Sequence, residues 1–130
     1  EKNSRMRKFA LIFICVFSFV ANISAAEIYD CKAPKGWDNI KGKINETGVF
    51  SSYIFIISGN EVIVEFGKEN LDYPVRLLRN SAERIDIVGM AKFTTELFTI
   101  NKKENKLYYV KNGIIGNGYS MMMSSDCKRK

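Results

Sequence analysis

From Phe50 to Phe66 the chain holds two runs rich in apolar and aromatic residues, Phe50 to Ser58 and Glu61 to Phe66, separated by Gly59-Asn60. Two β-prone runs around a two-residue Gly-Asn turn predict a hairpin, because glycine takes positive φ freely and asparagine tolerates it. The turn sets Ser58 opposite Glu61, Ile57 opposite Val62, Phe55 opposite Val64 and Tyr53 opposite Phe66. One face is then apolar throughout: Tyr53, Phe55, Ile57, Val62, Val64 and Phe66. The other is mixed: Ile54, Ile56, Ser58, Glu61, Ile63 and Glu65. A slip of one residue would carry polar side chains into the apolar face, so the register is specified. A hairpin of this size needs further strands to stand.

The same period of two recurs downstream. Glu83 to Met90 sets Ile85 and Ile87 against Arg84, Asp86 and Val88. Lys92 to Ile100 sets Phe93, Thr95, Leu97 and Thr99 against Thr94, Glu96, Phe98 and Ile100. Lys106 to Val110 returns after a polar loop, Lys111-Asn112-Gly113 reads as a turn, and Ile114 to Ser125 forms the last strand, broken by Gly116 and Gly118. Glu27 to Cys31 is a short first strand, and Ile40 to Gly48 a weaker candidate. Lys32 to Asn39, with Pro34, Gly36 and Trp37, reads as a loop, and Gly67 to Asn70 as a turn. Leu71 to Arg79 is either an edge strand or a helical turn, since Pro74 bars a central strand. No amphipathic helix stands out. The expectation is an all-β fold: a small antiparallel meander of seven or eight short strands, closing as a barrel or sandwich.

Ahead of this region, Met6-Arg7-Lys8, an apolar run from Phe9 to Ala21 broken by Ser18, and Ser24-Ala25-Ala26 read as a bacterial signal peptide cleaved before Glu27. The apolar run is shorter than the ~20 residues that span a bilayer. Residues 1–5 read as an upstream extension. The expected organisation is residues 1–26 as extension and leader and 27–130 as a single secreted β domain, periplasmic or extracellular, with no stable membrane anchor after cleavage.

Charge then removes one class of partner. The chain carries a net charge of +6, but the excess lies in the leader and in Lys128-Arg129-Lys130; residues 27–127 hold thirteen basic and thirteen acidic residues. A neutral body offers no footprint for nucleic acid. There is no histidine, so His-based triads and the commonest metal ligand are missing, and no cofactor or metal is expected. Cys15 leaves with the leader. Cys31 and Cys127 are expected to form one disulfide, their spacing being unlike a redox-active Cys-x-x-Cys pair.

Few residues suggest chemistry. Trp37 is a binding anchor or a plug at one end of the core. Gly113 to Gly118 lacks the helix and the Lys-Ser/Thr of a phosphate loop and reads as turn glycines. Met121 and Met123 share one face, Met122 takes the other, and core filling is their expected use. No catalytic residue is assigned. The expected function is a non-catalytic protein-binding module, such as an inhibitor, an immunity-type protein or an envelope accessory factor, whose partner is another envelope or secreted protein. Its candidate contacts are the loop aromatics Trp37, Tyr73 and Tyr119. A barrel carrying a small apolar ligand is the alternative, and a carboxylate-based hydrolase a further one. In layout the chain resembles the small periplasmic lysozyme inhibitors, disulfide-tied β-barrels in which a Tyr on a Ser-rich, Gly-containing loop enters the enzyme's cleft. Gly118-Tyr119-Ser120 is the partial counterpart, and the likeness is one of architecture.

Overall fold

The computed structural model describes residues 25–114, 116 and 118–130; the leader and Cys15 lie outside these apart from Ala25 and Ala26. Among the described residues are eleven strands: β1 (Glu27–Cys31), β2 (Lys35–Asp38), β3 (Asn45–Gly48), β4 (Tyr53–Ser58), β5 (Glu61–Phe66), β6 (Glu69–Asn70), β7 (Val75–Asn80), β8 (Arg84–Met90), β9 (Thr94–Asn101), β10 (Lys106–Gly113) and β11 (Tyr119–Arg129). All pairings are antiparallel, in the order β6-β5-β4-β1-β11-β10-β9-β8-β7, with β2 bridging β11 and β3. The sheet curls into a half-barrel.

The β4–β5 hairpin has the register the turn requires, Tyr53 opposite Phe66 through Ser58 opposite Glu61, with Gly59 at φ +60°. Its inner face joins Ile85 and Ile87 of β8, Phe98 and Ile100 of β9, Leu107 and Tyr109 of β10, Met123 of β11 and Tyr29 of β1 in one buried core. Tyr53 is the hub of the aromatic packing, with ring centroids 4.9 to 6.0 Å from Phe55, Phe66, Phe98 and Tyr109. Such stacked, tilted and edge-on pairs add to the gain from buried area alone.

β11 joins the two halves of the sheet. Its first half pairs with β2 and its second with β1, while β10 lines its other side. Cys31 and Cys127 face each other directly in the β1–β11 ladder, with Cα atoms 3.9 Å apart, and are disulfide-bonded. At the other end of β1 Glu27 accepts from Asn80 Nδ2 (3.0 Å) and pairs with Lys102 Nζ (3.1 Å), tying β1 to β7 and to the β9–β10 turn. The Asn80 hydrogen bond, together with Lys102 and Arg129, holds the Glu27 carboxyl below its ordinary range.

The structure corrects several sequence expectations. There are eleven strands among the described residues, not seven or eight. Lys32 to Asn39 is not all loop: Lys35–Asp38 is a strand, because Gly36 lets its backbone lie against β11, where a Cβ would sit 1.9 Å from the Met122 carbonyl oxygen. Ile40 to Gly48 splits into a 3-10 turn at Ile40–Gly42 and β3. Glu69–Asn70, expected in a turn, pairs with β5. Lys111-Asn112-Gly113 is the end of β10, not a turn, held by pairing on both sides with β9 and β11. β11 runs past Cys127 to Arg129. Of the two readings of Leu71 to Arg79, the edge strand holds; Pro74 stands just before it.

Candidate functional site

Two surfaces stand out, on opposite faces of the same strands. Residues alternate across a sheet, so in β9 Glu96 points in and Leu97 out, and in β10 Val110 points out and Lys111 in.

The inner feature is a cleft of about 600 Å³ at the end of the half-barrel where β4 and β9 begin. Glu96, only 3% exposed, lies on the inner face of β9 with Phe98 and Ile100 and forms part of the floor. Its Oε1 accepts the Tyr73 hydroxyl at 2.5 Å and its Oε2 accepts the Tyr109 hydroxyl at 2.9 Å. Burial, then the hydrogen bond to Glu96, pushes the Tyr73 phenol well above its ordinary value. Tyr109 is raised too, by burial and by its Tyr53 and Glu96 neighbours. Tyr53 is pushed up to about 12, first by burial and then by the Glu96 charge. All three phenols therefore stay protonated and able to donate at neutral pH. Phe50 and Phe66, edge-on at 5.0 Å, form one wall, while Glu69, Asp72 and Lys111 stand around the opening.

The outer feature is a row that crosses seven strands. Register places Glu46 beside Trp37, Trp37 beside Met122, Met122 beside Val110, Val110 beside Leu97, Leu97 beside Val88 and Val88 beside Arg76. Five apolar side chains thus stand in line between a carboxylate and a guanidinium. Trp37 is 54% exposed and Met122 65%. The neighbouring rows are polar and cross-linked: Thr99 Oγ1 donates to Asp86 at 2.8 Å, and Ser120 Oγ to Asn112 at 2.7 Å. Asp86 also binds Arg84 at 2.8 Å. Burial raises the Asp86 carboxyl, but the Arg84 and Thr99 hydrogen bonds outweigh it and hold the group low.

The three aromatics expected from sequence are thus not gathered into one site. Trp37 is in the outer row rather than plugging the core; its neighbours in the β2 strand, Gly36 and Asp38, face inward. Tyr73 is inside the cleft. Tyr119 lies over Gly113, where a Cβ would meet its ring at 2.1 Å, beside a groove formed with Asn39 to Gly42. Met123 fills the core as expected, but Met122 does not: alternation turns it to the outer face, where it is exposed. Sequence reasoning passed over Glu96, although a carboxylate sharing a face with Phe98 and Ile100 is a visible signal. It also passed over the outer row, because that alignment needs the distant pairing of Trp37 with Met122 as well as the register of every hairpin.

No protein family, curated protein or solved structure matches the chain.

Proposed function

We propose that this is an exported, non-catalytic protein-binding module whose docking face is the row Trp37–Met122–Val110–Leu97–Val88. The observation that carries the reading is the exposed Trp37 in line with four apolar side chains on the outer face. Tryptophan is enriched among residues that dominate binding energy, and aligned exposed apolar side chains between polar rows mark an interaction surface. The disulfide suits an oxidising compartment. Among the described residues no helix is long and apolar enough to cross a membrane. An inhibitor, an immunity-type protein or an envelope accessory factor would each need a docking face of this kind. The filled interior weighs against a carrier: Tyr29, Phe55, Phe98, Ile100 and Leu107 are at most 1% exposed.

The occupant that fits is an amphipathic helix of an envelope or secreted partner, lying along the row. Seven strands ~4.8 Å apart set Glu46 and Arg76 about 29 Å apart, or about five helical turns, with the five apolar side chains along the middle. Glu46 at one end suits the positive N-terminus of a helix, and Arg76 at the other suits its negative C-terminus. The test is photocrosslinking from a benzophenone side chain placed at position 122, with the products mapped by mass spectrometry. Crosslinks to one amphipathic helix of a single partner are expected. Crosslinks only to a second copy of this chain, or scattered without a common segment, would overturn the reading.

A further inference from the structure

The cleft on the inner face holds a buried carboxyl group with no basic partner. Glu96 has no lysine or arginine within ion-pair range among the described residues. Buried carboxylates are ordinarily paired. Its two hydroxyl donors use one acceptor position on each oxygen, and an ionised carboxylate has about four. The surroundings have the same bias. Glu69 and Asp72 stand at the opening against the single cation Lys111, and Phe50 and Phe66 offer ring faces. Phe50 is 93% exposed at the edge of the cleft, its ring edge-on to Phe66. A bare metal ion fits poorly, since no three acidic or other metal-ligating side chains converge among the described residues.

We infer that the cleft is a binding site for an organic cation, an alkylammonium or guanidinium group, whose charged head reaches Glu96 while its stem lies against Phe50 and Phe66. Tyr73 and Tyr109 position the carboxylate by holding one lone pair on each oxygen, leaving the others for the ligand's N–H groups. Glu69 and Asp72 raise the local concentration of cations at the opening. The aromatic wall adds cation–π attraction. The same chemistry is presented by a free amine and by the basic side chain of a peptide. The inference does not rest on the docking row, which faces the other way, and a ligand here would bind whether or not a partner helix docks.

The experiment is an NMR-monitored titration of the purified protein, disulfide intact, with four probes: putrescine, a capped Gly-Arg-Gly peptide, butyramide and sodium acetate. Saturable shifts confined to the cleft are expected with putrescine or the arginine peptide, and none with the neutral or anionic probe. Whichever cation binds tighter identifies the source as free amine or peptide side chain. Glu96→Gln should weaken binding about tenfold or more, as for a buried hydrogen-bonded charge. Should Glu96→Gln fail to fold, the Glu69→Gln/Asp72→Asn double variant, altered only at exposed positions, decides. It should weaken binding about twofold to fivefold, as for exposed charges. No saturable response to either cation, equal binding of butyramide, or unchanged affinity in folded Glu96→Gln or in the double variant would overturn the inference.

Discussion

At the scale of single residues, two glycines show how differently the same residue type is used. Gly59 has φ +60° and open space around its Cα, so its role is the turn conformation alone. Gly36 has room for nothing: a Cβ would lie 1.9 Å from one backbone atom of β11 and 2.8 Å from another. Gly59→Ala should therefore cost about 1 to 2 kcal/mol, the left-handed penalty. Gly36→Ala should cost about 3 kcal/mol or more, because the obstacle is main chain that cannot swing aside. Urea midpoints of the two variants against the parent check the order. The phenols around Glu96 give a second expectation. Their values are raised in the fold, so the stability they contribute is complete below the ordinary value of 10.0 and is lost as pH rises through the folded values. Stability should accordingly fall from about pH 10 upward, with Tyr53 ionising at about 12. Tyrosinate absorbance and thermal midpoints followed together across this range measure it, and Tyr53→Phe should make the fall shallower.

At the scale of elements, what could be read from the sequence was whatever is local. The β4–β5 hairpin declared its turn, register and inner face, since all three follow from seventeen consecutive residues. β8 and β9 declared their faces by alternation, Ile85 with Ile87 and Phe98 with Ile100. β2 did not, because Pro34, Gly36 and Trp37 have the composition of a loop and become a strand only by docking on β11. The end of β10 was hidden for a related reason. Lys111-Asn112-Gly113 has turn propensity, but a central strand paired on both sides overrides it. The candidate surfaces fall on the same divide. Glu96 was legible as a carboxylate among apolar neighbours on one face. The row from Glu46 to Arg76 was not, since it needs six pairings in register at once, and one of them, Trp37 with Met122, joins residues far apart in the chain.

At the scale of the whole molecule, the fold is two antiparallel halves joined along β11, and the disulfide sits at that join. Its partners are separated by 96 positions, so the chain-entropy gain approaches the ~4.7 kcal/mol of a hundred-residue loop. Cys31→Ala/Cys127→Ala should lose about that much stability, which is a large share of what a small domain has. The loss should be uneven in place: amide exchange should accelerate first in β1, β4 and β5, the half attached to β11 through the β1 ladder. Uniform acceleration, or a loss under ~1 kcal/mol, would contradict the account of β11 as the join.

The central functional claim concerns the outer face, and one comparison tests it most directly. Capture of the crosslinked partner by the parent protein is measured against Trp37→Ala and against Tyr73→Phe, which alters the cleft and leaves the outer row intact. Trp37→Ala should weaken the complex by about thirtyfold, as for an interface tryptophan, while Tyr73→Phe leaves it unchanged. Equal capture by the parent and by folded Trp37→Ala, or loss only in Tyr73→Phe, would contradict the assignment of the docking face to this row.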